Sequence, residues 1–132
     1  MKTITEYYGL VLDPSTQERL VRNYADFIPT GWRIYCHHMT IVHAADRRSD
    51  LETESHFMLG ENHPMVIHAI GISDRAVALR VVTDVRSCRE ITHITLAVAP
   101  GAKPVESNQI THWKRVPYET VFGVVTAVPY RA

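Results

Sequence analysis

The sequence predicts an α+β fold, and two patterns carry that prediction. Six segments are either continuously apolar or alternate between apolar and polar residues, which is typical of β-strands. One segment, residues 16–27, instead spaces its apolar side chains at helical intervals. The chain has 132 residues, so we expect one domain over residues 1–132.

The first predicted elements are a strand over residues 6–12 and the helix over residues 16–27. Ser15 and Glu18 match a capping box at the start of the helix, because a serine hydroxyl accepts from the backbone while the glutamate reaches back. Pro29 ends the helix, since proline lacks the backbone N–H that the next turn needs.

The rest of the chain is predicted to be mostly strand. The predicted segments are strands over residues 34–43, 65–72, 76–83, 91–99 and 120–130, and one short helix within residues 104–113. The strands over 65–72 and 76–83 form a hairpin, because the intervening Ser73, Asp74 and Arg75 favour a tight turn. Residues 44–64 are polar and predict a long surface loop.

Charge and composition restrict the partners. The chain carries 14 Lys and Arg and 14 Asp and Glu, so its formal net charge is zero. We therefore do not expect long DNA as a partner, because proteins that coat long nucleic acids have a basic excess. No apolar run approaches the roughly 20 residues that span a bilayer, so we expect no membrane association and a cytoplasmic location. Cys36 and Cys88 form no paired-cysteine motif, and reduced thiols are expected.

Two His-x-Thr motifs are the strongest functional signal. His38 and Thr40 lie in one predicted strand, and His93 and Thr95 lie in another. Because side chains of a strand alternate with a period of two, each histidine shares a face with its threonine. Large apolar residues occupy the opposite face of the second strand. This pattern is typical of a strand that packs its apolar face on a core and lines a cleft with its polar face.

Two imidazoles and two hydroxyls that converge can act on a phosphodiester. One neutral imidazole accepts a proton from the attacking group, and the other, protonated, donates to the leaving oxygen. The threonine hydroxyls bind the non-bridging phosphate oxygens and hold the phosphorus between the rings. The alternative is structural: two half-buried histidines bonded to backbone, beside threonines that favour strands.

The paired motifs and their flanks resemble the 2H phosphoesterase superfamily, particularly its phage anti-CBASS and RNA-repair-type branches. The stretches that carry the resemblance are residues 36–41 (CHHMTI), 71–81 (GISDRAVALRV), 93–96 (HITL), 103–108 (KPVESN) together with Trp113, and 8–13 (YGLVLD). The resemblance implies a compact bilobed fold with antiparallel sheets around a central cleft and pseudo-twofold symmetry. It also implies metal-independent hydrolysis, with His38 and His93 as the catalytic pair and Thr40 and Thr95 on the phosphate.

Four further residues are candidates for substrate binding. Tyr8 and Trp113 can stack on a base, Glu119 can read a base edge or orient an imidazole, and Lys103 can contact a phosphate. For each the alternative is ordinary: a core aromatic or an exposed charge. His37 adjoins His38 but is expected on the opposite face of a continuous strand.

A resident metal or other cofactor is not expected. Cys36, His37 and His43 are candidate zinc ligands by residue type, but their spacing matches no established zinc motif.

We hypothesise that the protein is a metal-independent phosphodiesterase that hydrolyses cyclic nucleotides or cyclic oligonucleotides. By this hydrolysis it would degrade an immune signal. Two alternatives stay open: a 2′,3′-cyclic phosphodiesterase that acts on RNA ends or cyclic mononucleotides, and a nucleotide-binding module without catalysis. The partner is thus a cyclic nucleotide, a cyclic oligonucleotide or the cyclic phosphate end of an RNA, met in the host cytoplasm if a phage encodes the protein. The sequence leaves the oligomeric state open.

Overall fold

The computed structural model describes residues 5–43, 58–85, 87 and 91–129. In chain order the elements are β1 (Thr5–Leu12), α1 (Pro14–Asn23), a 3₁₀ helix (Ala25–Phe27), β2 (Arg33–Ile34), β3 (His38–His43), β4 (Asn62–Ile72), β5 (Ala76–Thr83), β6 (His93–Val98), a second 3₁₀ helix (Pro104–Gln109) and β7 (Trp113–Pro129). We refer to this last 3₁₀ helix as the 104–109 helix.

Six antiparallel strands form one closed sheet. Their order is β6-β3-β1-β7-β4-β5, and β5 pairs back to β6 to complete the circuit. The two-residue strand β2 adds to the edge of β6. The predicted α+β fold with two lobes around a central cleft is therefore wrong, because the described part of the chain is mostly β and its strands share one sheet. Sequence periodicity predicts strands but does not say which strands pair.

One face of the sheet forms the hydrophobic core. Every strand of the closed circuit contributes to a single cluster of buried side chains, and α1 adds Leu20. Leu10, Met39, Ile67 and Ile94 are all 0% exposed. Burial of such side chains stabilises a fold by about 1.5–3 kcal/mol each. Outside this cluster, β3 and β6 carry the polar residues of the His-x-Thr motifs, and a second, smaller buried cluster consists of Ala76, Ala78, Val98 and Ile110.

The helix begins earlier than the sequence predicts, and a different residue caps it. Asp13 is the N-cap, and its carboxylate accepts from the Thr16 backbone N–H at 2.7 Å. Ser15 is not the cap, because its hydroxyl donates to that same carboxylate at 3.0 Å. The α-helix ends at Asn23, and Ala25–Phe27 is a 3₁₀ turn rather than the end of an α-helix.

The strand predicted over residues 34–43 is broken in the middle. Cys36 has a φ of +47°, a left-handed conformation that interrupts strand pairing. The chain therefore forms β2 and β3 as separate strands on either side of residues 35–37. This break lies directly before His38.

The other strands follow the prediction with shifted ends. The hairpin of β4 and β5 is confirmed, with residues 73–75 as its turn. Residues 62–64, predicted as loop, already belong to β4, and residues 44–57 of that loop lie outside the described residues. The last strand begins at Trp113 instead of residue 120.

Among the residues that the structure describes, no helix combines the length and the apolar character that crossing a membrane requires.

Candidate active site

A pocket of about 540 Å³ contains both His-x-Thr motifs. It opens on the polar face of β3 and β6, and β1, β2, β7 and the 104–109 helix complete its wall. Its lining consists of Tyr7, Ile34, Tyr35, His37, His38, Thr40, His93, Thr95, Lys103, Pro104, Val105, Asn108, Val128 and Pro129. The volume lies in the range of small-molecule sites, about 300–1,000 Å³.

Strand alternation places the four motif residues there. Met39 pairs with Ile94, so β3 and β6 are neighbours at the point where both motifs occur. Met39 and Ile94 are 0% exposed and face the core. Their strand neighbours therefore face the pocket, as the period of two requires.

His38 is held through both ring nitrogens. Its Nδ1 lies 3.1 Å from the Tyr7 hydroxyl and 3.0 Å from Nδ1 of His37. Its Nε2 lies 3.2 Å from the Thr40 hydroxyl. Hydroxyls and imidazole nitrogens can each donate or accept. His38 can accordingly gain or lose a proton without losing its partners.

The Tyr7 and His38 rings pack together beside Gly9 of β1. Tyr7 stacks on His38 with ring centroids 4.4 Å apart and an interplanar angle of 27°. A Cβ at Gly9 would lie 3.3 Å from His38 Cδ2 and 3.4 Å from Tyr7 Cε2. The absence of a side chain at this position lets both rings lie close against β1.

His93 has one fixed tautomer. Its Nδ1 lies 2.9 Å from the Ile91 carbonyl oxygen. A carbonyl can only accept, so Nδ1 donates and the neutral ring carries its lone pair on Nε2. His93 thus differs from His38, whose Nδ1 faces groups of either kind.

Thr95 is oriented by a buried serine. The Thr95 and Ser107 hydroxyls are 2.9 Å apart, and Ser107 is 1% exposed. Ser107 belongs to the 104–109 helix, so this contact ties the helix to β6.

An ion pair holds the start of the 104–109 helix. Arg75 Nε donates to Glu106 at 2.9 Å, and the Glu106 carboxylate also accepts from the Lys103 backbone N–H at 2.6 Å. The pKa of the Glu106 carboxyl is held below its usual range, mainly by the hydrogen bond from Arg75. Lys103 is thereby positioned at the rim of the pocket, where the sequence analysis expected a phosphate contact.

Three of the predicted binding residues lie outside the pocket lining. Tyr8 is on the other face of β1 and packs against the core. Trp113 covers Gly71, where an added Cβ would meet its ring at 2.6 Å. Glu119 forms an ion pair with Arg19 of α1. Their roles in substrate binding stay predictions.

His37, Tyr7 and Ser107 belong to the site although the sequence analysis did not select them. The expectation that His37 points away from His38 is wrong, because the break at Cys36 ends the alternation and both rings line the pocket. Tyr7 was foreseeable, because Tyr8 packs against the core and strand alternation places its neighbour Tyr7 on the opposite face. Ser107 was not, because its contact with Thr95 depends on how the 104–109 helix packs.

The cysteine beside the site is buried and protonated. Cys36 is 0% exposed and is a free cysteine, and burial raises the pKa of its thiol to about 12. A neutral thiol is a poor zinc ligand. Within the described ranges, no three His, Cys, Asp or Glu side chains gather where they could hold a metal ion. Cys88 lies outside the described residues.

Comparison with known proteins yields the fold alone. No protein-family model matches the chain, and no curated protein matches it. Among solved structures, the crystal structure of a fungal RNA kinase is similar, with a TM-score of 0.58 and 16% sequence identity. The alignment covers 98% of this chain and 43% of that chain, so this chain spans less than half of the length of that protein.

Proposed function

We propose that this protein is a phosphodiesterase that uses His38 and His93 as an acid and base pair, and that its substrate is the cyclic phosphate end of an RNA. The observation that carries the proposal is the convergence of both His-x-Thr motifs in one pocket. A pair of imidazoles near neutral pH supplies a proton acceptor and a proton donor together.

His93 serves as the base in this proposal. Its Nδ1–H is bonded to the Ile91 carbonyl, so the lone pair of the neutral ring is on Nε2. Nε2 takes a proton from water as the water oxygen attacks phosphorus. The Ile91 carbonyl then also stabilises the imidazolium that forms, because Nδ1 still donates to it.

His38 serves as the acid. Protonated His38 donates from Nε2 to the sugar oxygen as the bond between that oxygen and phosphorus breaks, which leaves a phosphate monoester and a free sugar hydroxyl. Tyr7 and His37 face its Nδ1 and can accept from the protonated ring. Both histidines regain their starting states by exchanging a proton with water.

The threonines hold the phosphate. Thr40 and Thr95 present hydroxyl donors from the two neighbouring strands, which suits non-bridging oxygens on a phosphorus between the rings. Lys103 at the rim adds a positive charge.

Two considerations favour an RNA end. The similar solved structure is described as an RNA kinase, and the sequence resembles the 2H phosphoesterases, whose RNA-repair-type branch acts on cyclic phosphates. A cyclic oligonucleotide is the second candidate, because a pocket of about 540 Å³ also accommodates a compact nucleotide.

The test is a substrate panel with the purified protein in EDTA. It contains an RNA that ends in a 2′,3′-cyclic phosphate, 2′,3′-cyclic mononucleotides and cyclic dinucleotides. We expect cleavage of the RNA end, and a loss of roughly 100-fold or more in His38→Ala and in His93→Ala. His112→Ala is the matched control, since His112 is exposed on the chain between the 104–109 helix and β7.

The other outcomes separate the alternatives. Cleavage of the cyclic dinucleotides alone contradicts the RNA substrate and identifies an enzyme that removes a nucleotide signal. Binding without any cleavage contradicts catalysis and identifies a nucleotide-binding module. Loss of all activity in EDTA, restored by zinc, contradicts the two-histidine mechanism.

A further inference from the structure

A row of aligned residues leads from the pocket across the sheet. Arg80 of β5 pairs with His93 of β6, Ala69 of β4 pairs with Arg80, and Arg115 of β7 pairs with Ala69. Directly paired residues of antiparallel strands present their side chains on the same face. The two arginines therefore lie on the face that carries His93. Three strand spacings of about 4.8 Å separate His93 from Arg115, which makes about 14 Å.

A bulge adds a histidine to this row. The register of β4 against β5 shifts between Ile67 and Ala69, so His68 is an extra residue in that pairing. Against β7 the extra residues are on β7, where residues 116–118 lie opposite His68. Burial, followed by the charges of Arg80 and Arg115, lowers the pKa of His68. Both guanidinium groups thus act on the same imidazole. His68 is accordingly neutral at neutral pH and does not add to the charge.

Two aromatic rings lie along this row, one beside His68 and one beside Arg80. The His68 and Tyr118 rings meet edge to face with centroids 6.5 Å apart, and Tyr118 is 72% exposed. The Arg80 guanidinium lies 5.9 Å from the centre of the Trp113 ring. Arginines and an exposed aromatic ring on one face are a combination that binds single-stranded nucleic acid, because phosphates meet the charge while bases stack on the ring.

We propose that Arg80, Arg115, His68 and Tyr118 form a binding strip for the RNA strand that precedes the reacting end. The inference rests on the proposed function, because it takes the terminal phosphate to lie beside His93. Arg80 and Arg115 contact backbone phosphates, and Tyr118 stacks on a base.

The dimensions of the strip favour a strand over a mononucleotide. A single phosphate cannot reach from the pocket to Arg115, whereas an oligonucleotide distributes its phosphates along that distance. The strip requires only two arginines, so it is compatible with a net charge of zero. Since phosphate contacts carry no base preference, recognition at the strip is independent of sequence.

The binding test uses a short single-stranded RNA with a fluorescent label and the His38→Ala protein, so that the RNA stays intact. Fluorescence anisotropy gives Kd over a range of salt concentrations for this protein and with Arg80→Gln, Arg115→Gln or both added. We expect the salt dependence of log Kd to decrease by about 0.7 for each arginine removed, and Kd in the double variant to rise roughly tenfold at 0.15 M salt. Arg22→Gln is the control, because Arg22 is exposed on α1.

An unchanged Kd and salt dependence in the double variant would overturn the strip. Arg80 touches Trp113, so Arg80→Lys checks whether a change at this position acts through charge or through folding. Arg115 is exposed, so Arg115→Gln by itself carries the test if Arg80→Gln fails to fold.

Catalysis provides an independent measurement in the protein that retains His38. We expect Arg115→Gln to lower kcat/KM for the RNA end and to leave kcat/KM for a 2′,3′-cyclic mononucleotide unchanged. Equal losses for both substrates contradict the strip. If neither substrate is cleaved, the proposed function fails, and the anisotropy measurement still decides whether the strip binds RNA.

Discussion

The contacts of His38 make Tyr7 a positioning residue of the proposed reaction. The Tyr7 hydroxyl accepts from Nδ1 when His38 is protonated, and its ring stacks on the imidazole. Tyr7→Phe keeps the stacked ring and removes only the hydroxyl. Protonated His38 then loses one acceptor, so the alkaline limb of the pH–rate profile moves to lower pH, and kcat falls roughly two- to tenfold. Steady-state rates across pH check this, and an unchanged profile contradicts the assigned role.

Thr95 provides a second prediction for a single residue. Thr95→Val removes the hydroxyl at nearly constant volume, so the fold is expected to persist. The buried Ser107 hydroxyl loses this partner, so the free energy of unfolding is expected to fall by about 1–3 kcal/mol. Loss of a donor to the phosphate lowers kcat roughly 100-fold. Thr120→Val is the control, because Thr120 is exposed on β7. Full activity of Thr95→Val, measured with the RNA end, shows that Thr95 does not bind the phosphate.

At this scale the sequence predicts those residues whose position follows from strand alternation. His38 and Thr40 line the pocket for that reason. His37 was missed because the positive φ of Cys36 determines which face of the sheet its ring lies on. Periodicity carries no information about a single left-handed residue. Ser107 was missed because it meets Thr95 through tertiary packing alone.

The cap of α1 supplies a prediction for an element. The Asp13 carboxylate accepts hydrogen bonds from Thr16 and from Ser15. The hydrogen bonds from Thr16 are the main reason why the pKa of Asp13 is lowered. Asp13→Ala leaves the first turn without an acceptor and is expected to lower Tm by more than Ser15→Ala does. The reverse order in thermal melts, with Ser15→Ala the more destabilising, contradicts the assignment of the cap.

The same cap makes stability depend on pH. A carboxyl whose pKa is depressed by folding stabilises the native state above its unfolded pKa, and that contribution is lost as pH falls through the folded pKa. Asp13→Asn keeps an acceptor that does not titrate. As pH is lowered from neutral to the range where aspartate titrates, the Tm of the variant is therefore expected to fall by less than the Tm of the wild type. Equal losses contradict this linkage.

Helices and strands are predictable in kind, and their ends are less so. The apolar spacing of residues 16–27 predicts a helix, but Asp13 and Ser15 are both good N-caps and only the backbone decides between them. The hairpin of β4 and β5 was predicted, apart from the earlier start of β4, because its turn residues lie next to one another in sequence. The start of β7 was missed, since Pro117 and the charged residues around it are unfavourable in strands.

For the whole molecule, we expect closure of the sheet between β5 and β6 to contribute to stability. Leu79 of β5 is 0% exposed and pairs with Ile94 of β6, where the circuit closes. Leu79→Ala removes core volume at that seam and is expected to cost about 2–5 kcal/mol of unfolding free energy. Val82→Ala on the same strand is the control, because Val82 is 59% exposed and such changes stay within about 0.5 kcal/mol. Denaturant unfolding of both variants checks this, and equal effects contradict the closed core.

The closed sheet was not predictable from the sequence, although the strands were. The prediction of two lobes came from the resemblance of the paired motifs to the 2H phosphoesterases. The two motifs are 55 residues apart, 93 − 38. In the structure β3 and β6 are neighbours, so residues distant in sequence meet within one sheet. Strand pairing over such separations depends on the packing of the entire core, which local patterns do not contain.

The central claim is that His38 and His93 act as an acid and base pair, and the most direct measurement is kcat/KM for the RNA end as a function of pH in EDTA. One imidazole must be neutral and the other protonated, so the account predicts a bell-shaped profile whose two limbs report the macroscopic pKa values of the pair. A rate that rises steadily through pH 9, where neither free imidazole holds a proton, would contradict the account.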